Sequence, residues 1–183
     1  MTNYRRINIA GASYFFTVNL ADRSQSLLTE HIGLLRNAFA YTRERHPFSI
    51  DAIVILPEHL HAIWTLPAED NDFSLRWRLI KTVFSRSLPH GERRSNSRQS
   101  KGERGIWQRR YWEHLIRDEA DFSRHVDYIH INPVKHGLVS HVAEWPHSSF
   151  HRYVQAGILQ QDWVGGAGAG VGLDYGEQKS VFI

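Results

Sequence analysis

Residues 48–66 read FSIDAIVILPEHLHAIWTL and are the most informative part of the chain about its fold. The segments 48–56 and 59–66 are apolar and contain several β-branched residues, which predicts a strand in each. Only Pro57 and Glu58 separate the two segments, and so short a connection is typical of an antiparallel hairpin. The sequence therefore predicts two adjacent strands in this part of the chain.

Segments on both sides extend this hairpin into a sheet. Residues 13–20 (SYFFTVNL) predict an earlier strand, and residues 106–116 predict a later one. Apolar residues recur at helical spacing over 27–45 and 73–84, which predicts a helix in each connection. The order β-α-β-β-α-β is that of the ferredoxin-like split βαβ core. We therefore expect an α+β protein in which an antiparallel sheet carries helices on one face.

Another helix is predicted after the last strand. Asp118 is a good N-cap residue, and Asp121 follows three positions later, as in a capping box. Pro133 is expected to kink or end this helix, because proline lacks a backbone N–H and disfavours helical geometry just before it. The residues that the helix would bury are Phe122, Val126 and Ile129.

The length of 183 residues fits a single domain. We assign residues 1–163 to this domain, with a basic loop at about 89–105, and residues 164–183 to a glycine-rich, flexible C-terminal tail. The chain has no cysteine, which excludes disulfides, thiolate catalysis and cysteine zinc sites. The N-terminal segment has no apolar run suited to a signal peptide or membrane span, so a cytoplasmic protein is expected.

Positive charge is concentrated in one part of the chain. The formal net charge is +3, yet eight Lys and Arg against two Glu give residues 86–110 a charge of +6. Such a segment suits the phosphates of a nucleic acid, because basic side chains displace condensed counterions. A solvated loop without a partner is an equally good interpretation of the charge by itself.

His59 and His61 are candidate metal ligands. They alternate with Leu60 on a predicted strand, so both imidazoles lie on one face of the strand, roughly 6–7 Å apart. Two imidazoles can hold a divalent ion when a third ligand joins them. Buried histidines that only hydrogen-bond to their neighbours are the alternative, since polar groups in a core need partners.

Tyr128 is the candidate nucleophile on the last predicted helix. His125, Tyr128 and Asn132 are three and four residues apart and therefore share one helix face. The amide oxygen of Asn132 could serve as a third metal ligand. The alternative for Tyr128 is a boundary position with a hydrogen-bonded hydroxyl, which is common for tyrosine.

Four segments are distinctive in their order and spacing: LPEHLHAIW (56–64), WQRRYWEHLIRDEADF (107–122), YIHINPVKHGLV (128–139) and WPHSSFHRYV (145–154). They resemble the REP-associated tyrosine transposases, bacterial relatives of the single-tyrosine insertion-sequence transposases. The segments NYRR (3–6) and WRLIKTVFSR (77–86) are similar too, so the resemblance extends from about Asn3 to Trp163. Its most specific part is YIHINPVKHGLV.

The resemblance implies a metal-dependent HUH nuclease that cuts single-stranded DNA by joining it to a tyrosine. His59 and His61 would be the HUH metal ligands, Tyr128 the nucleophile, and Asn132 the polar ligand four residues beyond it. The cofactor would be Mg²⁺ or Mn²⁺. The products would be a 5′-phosphotyrosine and a free 3′-hydroxyl, so rejoining needs no ATP.

The resemblance also implies the partners. The substrate would be single-stranded DNA folded as the imperfect hairpins of REP elements, with a short guide sequence beside each hairpin. The protein would act in the cytoplasm on the nucleoid, as a monomer or as a homodimer.

Two further sets of residues are assigned to the reaction and to the DNA. A phenol with a pKa near ~10 is mostly protonated at neutral pH, so we consider His125 and His130 as candidate bases. Aromatic residues between 107 and 112 could stack on unpaired bases, although for Trp112 we favour core packing. The basic residues that we expect to contact DNA are Arg5, Arg6, Arg76, Arg78, Lys81, Arg109 and Arg110.

Three other functions are compatible with the same sequence features. A catalytically silent DNA-binding regulator would bind without a metal and without Tyr128. A replication initiator or relaxase of the HUH type commonly has extra domains or a second tyrosine close to the first. A metal-dependent hydrolase would use water and would form no covalent link to DNA.

Overall fold

The computed structural model describes residues 8–92, 94–166 and 175. No helix within these residues is both long enough and apolar enough to span a membrane. The elements of the described residues are, in chain order, β1 (Ser13–Asn19), α1 (Leu27–Glu30), α2 (Ile32–Arg45), β2 (Ser49–Ile55), β3 (His59–Thr65), α3 (Phe73–Ser87), α4 (Asn96–Gln99), β4 (Trp112–Leu115), α5 (Glu119–Lys135), a 3₁₀ turn (Val142–Glu144) and α6 (Phe150–Gln155).

The strands form one sheet with the order β2-β3-β1-β4, in which each neighbouring pair is antiparallel. This is the ferredoxin-like order, so the predicted fold class is confirmed, and so is the hairpin of β2 and β3. Because β1 and β3 occupy the centre, their side chains are covered on both faces. In this central pair Val18 lies opposite Leu60, and Asn19 lies opposite His59.

The two faces of the sheet carry separate cores. On one face Phe16, Leu60 and Trp64 pack against α2 and α3, with the rings of Trp64 and Trp77 stacked at 4.1 Å between centroids. On the other face Phe15, Ile63 and their neighbours pack against α5. The expectation of core helices on one face is thus confirmed for α2 and α3. The later helix α5 adds a second layer on the opposite face.

Two predicted elements differ in extent. The helix predicted over 27–45 is interrupted at His31, where backbone angles outside the helical region separate α1 from α2. The strand predicted over 106–116 is confined to β4, because only its last part pairs with β1. Upstream of β4, Trp107 contributes a single isolated bridge to Leu20.

The helix α5 does not end at Pro133, so the predicted end there is wrong. Asp118 is its N-cap as predicted, since the Asp118 carboxylate accepts a hydrogen bond from the Asp121 N–H at 2.8 Å. The helix then continues to Lys135. It ends where Gly137 adopts a positive φ of 68°, and the N–H of Leu138 bonds back to Pro133 O at 2.9 Å, as in a Schellman motif. The glycine, not the proline, terminates the helix.

The basic loop is tied to the domain by one of its own arginines. The guanidinium of Arg104 pairs with Glu92 at 2.5 Å and donates hydrogen bonds to the backbone carbonyls of Ser85, Leu88 and Pro89. Arg109 pairs in the same way with Glu103 at 2.9 Å. Part of the positive charge of this segment is therefore neutralised within the loop.

Arg76, which we expected to contact DNA, is a core residue. Its side chain is 1% exposed and forms an ion pair with Asp70 at 2.7 Å. It also donates hydrogen bonds to the carbonyls of His46, Pro47 and Asp72. Arg76 therefore joins the start of α3 to the turn after α2. Because its side chain is buried, it does not serve as the predicted DNA contact.

We predict that Arg76→Met lowers the free energy of unfolding by about 2–4 kcal/mol, because it removes a buried charge and leaves several carbonyls without their donor. Urea denaturation of the purified variant would measure this loss. The matched control is Arg78→Met, two residues away and exposed, which should stay within about 0.5 kcal/mol of the parent chain. Equal stability of the two variants would contradict the structural role of Arg76.

Candidate active site

The strand β3 presents His59 and His61 to the face of the sheet that α5 covers. Both side chains are fully buried, and their ring centroids lie 4.9 Å apart. The alternation of a strand explains this placement, since the intervening Leu60 belongs to the opposite core. The structure thus brings the two predicted ligands together as expected.

A carboxylate directs the ring of His59. The Glu58 carboxylate lies 2.9 Å from His59 Nδ1 and also accepts a hydrogen bond from Arg23. Burial by itself would raise the pKa of Glu58, but the hydrogen bonds from His59 and Arg23 bring it to about 2. Burial lowers the pKa of His59, which favours the neutral ring. A neutral His59 that donates from Nδ1 keeps a lone pair on Nε2.

A hydroxyl directs the ring of His61 in the same way. Thr17 Oγ1 lies 2.9 Å from His61 Nδ1 and donates its own hydrogen to the backbone carbonyl of Tyr175. Because a hydroxyl has one hydrogen, the Nδ1–H of His61 must be the donor in the first bond. His61 therefore also has its lone pair on Nε2.

The chemistry of these donors fits a divalent metal ion. His59 Nε2 is buried and has no hydrogen-bond partner among the described residues, an arrangement that is costly unless something binds there. Histidine ligands commonly donate their second ring nitrogen to a carboxylate or another acceptor, as both do here. The two imidazoles therefore have the tautomers that a metal site requires.

One face of α5 completes the site. The ring of Tyr128 lies 5.2 Å from that of His61, and the ring of His136, two turns later, lies 5.1 Å from that of His59. Asn132 lies midway between these two residues and is fully buried. Since residues four apart share a helix face, Asn132 faces the histidine pair. Tyr128 and Asn132 were predicted from the sequence, whereas His136 was not, although the same four-residue spacing indicates it.

Two residues near the Tyr128 hydroxyl were not expected from the sequence. The ammonium of Lys135 donates a hydrogen bond to this hydroxyl at 3.1 Å. The ring of Tyr175 stacks on that of Tyr128, with 3.5 Å between centroids and 15° between planes. Tyr175 belongs to the segment that we assigned to a flexible tail, most of which lies outside the described residues. Tyr128 itself is only 1% exposed.

The two histidines considered as bases have other partners. His130 Nε2 lies 3.0 Å from the Ser149 hydroxyl, and burial together with the nearby charges of Arg152 and His151 lowers the pKa of His130 to about 3. The Nδ1 of His125 lies 2.7 Å from the backbone carbonyl of Asp121. Each histidine thus has a hydrogen-bonding partner other than the Tyr128 hydroxyl.

A second group of possible metal ligands lies beside the first. Ligand atoms of His114, Asp121 and His125 lie within 4.8 Å of one another, which is close enough to hold a divalent ion. However, the Asp121 carboxylate already accepts hydrogen bonds from the Arg117 N–H and from Arg124, besides its contact with His114 at 2.8 Å. The Asp121 carboxylate is therefore hydrogen-bonded without a metal.

An open cavity of about 680 Å³ lies between α3 and the residues before β4. Arg78, Lys81 and Arg109 line it, together with the aromatic rings of Trp107 and Tyr111. Arg110 is exposed next to Arg109, whereas Arg5 and Arg6 lie outside the described residues. Three of the basic residues that we expected to contact DNA thus share one concave surface.

The cavity rim lies at the same end of the sheet as His59. The N–H of Gln108, which lines the cavity, bonds to Asn19 O at 3.0 Å. Asn19 is in turn paired with His59 in the register of β1 and β3. Trp112 lies away from the cavity and packs against the core around α5, as favoured from the sequence.

No family model matches the chain, but individual proteins resemble it over most of its length. A REP-associated tyrosine transposase of Haemophilus influenzae is 51% identical over 166 residues, which cover 90% of this chain and 94% of that protein. One of Escherichia coli is 48% identical over 165 residues, which cover 90% and 92%. A solved structure of a REP-associated tyrosine transposase bound to a REP hairpin is 48% identical, covers 91% and 93%, and superposes with a TM-score of 0.78.

At this identity and coverage the chain belongs to the REP-associated tyrosine transposases. It is therefore a transposase enzyme on the HUH fold, and the resemblance found in the sequence is confirmed.

We predict that Tyr175→Ala makes Tyr128 more accessible, because the stacked ring covers it. Nitration of Tyr128 by tetranitromethane, followed by mass spectrometry, should become faster in this variant. Tyr41, which is exposed, should react at the same rate in both proteins and serves as the internal control. An unchanged rate at Tyr128 would mean that other residues shield it.

Proposed function

We propose that this protein cuts and rejoins single-stranded DNA at REP-type hairpins, with Tyr128 as the nucleophile. The observation that carries this proposal is the convergence of Tyr128 with two buried imidazoles, His59 and His61, which are oriented by Glu58 and Thr17. The similarity to a transposase bound to a REP hairpin supports the choice of substrate. Acting on such DNA, the protein would work in the cytoplasm, on the nucleoid.

The ligands of a divalent ion, Mn²⁺ or Mg²⁺, would be His59 and His61, with the amide oxygen of Asn132 as the third. When bound, the ion neutralises charge on the scissile phosphate. His59 and His61 are fixed by Glu58 and Thr17, so they hold their orientation before DNA arrives. We favour this site over the group at His114 because Asp121 is already saturated.

In the proposed reaction the Tyr128 oxygen attacks the phosphorus, and the bond from phosphorus to the 3′-oxygen breaks. The proton of the phenol leaves to solvent, and the departing 3′-oxygen takes a proton from water. One phosphodiester replaces another, so rejoining to a second DNA end reverses the same steps. Tyr175 must move away for the DNA to reach Tyr128, because its ring occupies the adjacent space.

The cavity beside α3 is the proposed path of the DNA next to the hairpin. Arg78, Lys81 and Arg109 would bind phosphates, and Trp107 and Tyr111 would contact unpaired bases. Arg110, next to Arg109, would extend this path, and Arg5 and Arg6 would add phosphate contacts.

The first test is a denaturing gel of the protein mixed with labelled single-stranded hairpin DNA, taken from the repeats that flank the gene. The parent chain should form a covalent adduct with Mn²⁺ and none with EDTA. Tyr128→Phe should bind the same DNA but form no adduct. Binding without any adduct in the parent chain would favour the silent regulator, and cleavage by Tyr128→Phe would indicate water as the nucleophile.

A second test separates the two groups of possible ligands. We expect His59→Ala to weaken Mn²⁺ binding by more than about 100-fold, and Glu58→Gln by about 10- to 100-fold, because Glu58 orients the ligand. Titration of Mn²⁺ followed by electron paramagnetic resonance would measure both losses. His114→Ala should leave the affinity unchanged. The reverse pattern would move the metal to His114, Asp121 and His125.

A further inference from the structure

Lys135 reaches the nucleophile because α5 continues through Pro133. Lys135 is the seventh residue after Tyr128, which places both on one face of an unbroken helix, two turns apart. A helix that ended at Pro133 would not hold Lys135 in this register. The lysine therefore occupies a position that only the continuous helix provides.

Two contacts join the ammonium of Lys135 to Tyr128. Nζ lies 3.1 Å from the phenolic oxygen and 4.6 Å from the centre of the ring. A lysine in the last turn of a helix also interacts favourably with the helix dipole. That interaction does not require contact with Tyr128, because a side chain in solvent would provide it equally well. The contact with the reacting oxygen is additional to that general preference.

We propose that Lys135 is a catalytic residue, whose positive charge stabilises the negative charge that develops on the Tyr128 oxygen during cleavage and rejoining. The proposal rests on the proposed function of Tyr128 as the nucleophile. It extends that function by naming a cation that acts on the phenol, for which the sequence had indicated a metal ion or a base, His125 or His130. A fixed cation at the reacting atom acts on the transition state more than on bound DNA.

Lys135 acts as a cation and hydrogen-bond donor, and it keeps its protons throughout. Its residue is exposed to solvent, and its Nζ donates the hydrogen bond to the Tyr128 oxygen. In cleavage the O–H bond of Tyr128 breaks, its proton goes to water, and the oxygen bonds to phosphorus. In rejoining the phosphorus–oxygen bond of the phosphotyrosine breaks, and Lys135 again stabilises the departing oxygen.

The test is the rate of adduct formation at saturating hairpin DNA with Mn²⁺, measured in single-turnover experiments. Lys135→Met should lower this rate by about 10- to 100-fold, while the DNA concentration that gives half the maximal rate changes little. Lys135→Arg keeps the charge and should restore most of the rate. Rejoining, started from the purified adduct and a free 3′-hydroxyl, should slow by the same factor.

The control variant is Arg45→Met, which removes an equivalent surface contact. Arg45 lies on α2, with its guanidinium 3.7 Å from the centre of the Tyr41 ring. This variant loses one positive charge and one cation–aromatic contact, and its rate should equal that of the parent chain. Circular dichroism of all variants would exclude a loss of fold as the cause.

A second arm replaces Tyr128 with 3,5-difluorotyrosine, a more acidic phenol that needs less stabilisation from a cation. The penalty of Lys135→Met should be smaller in this background than with tyrosine. An equal penalty in both backgrounds, or a Lys135→Met variant that only binds DNA more weakly, would overturn the proposal. No adduct in the parent chain would instead contradict the proposed function itself.

Discussion

The register between β1 and β3 is the constraint on which the rest of the structure depends. It places Thr17 opposite His61 and Asn19 opposite His59. Because side chains alternate along a strand, a shift by one residue would turn both histidines towards α2 and α3. The packing of Phe16 and Trp64 against α3 prevents that shift. An apolar core on one face of the sheet thereby fixes the geometry of the polar site on the other.

The layer between the sheet and α5 contains several buried polar groups. His59, His61, His125, His130 and Asn132 are all buried there. Each such group lowers stability unless it is hydrogen-bonded, and Glu58, Thr17 and Ser149 provide several of the required bonds. Catalytic residues held in this way on strands and helices need little reorganisation when substrate binds. The buried polar groups therefore lower the stability of the fold, and their hydrogen bonds orient the site before substrate binds.

Positive charge in this protein has two separate uses. Arg76 and Arg104 are anchored by carboxylates and backbone carbonyls, so they hold α3 and the basic loop in place. Arg78, by contrast, is exposed on the wall of an open cavity. The two kinds of residue alternate within a few positions of α3, so charge counted along the chain does not distinguish them. The burial of each side chain and its hydrogen-bond acceptors distinguish the two kinds of residue.

Local patterns in the sequence are sufficient for the hairpin of β2 and β3, for the shared face of His59 and His61, and for the N-cap at Asp118. Each depends on residues a few positions apart and on the period of a strand or helix. The motif around Tyr128 was likewise sufficient to indicate the family. Contacts between distant segments required the tertiary structure: Thr17 with His61, Arg76 with the carbonyls before β2, and Tyr175 on Tyr128. The position of Lys135 also belongs to this second group, because α5 continues beyond Pro133 where it packs on the sheet, and packing outweighs the hydrogen bond that proline removes.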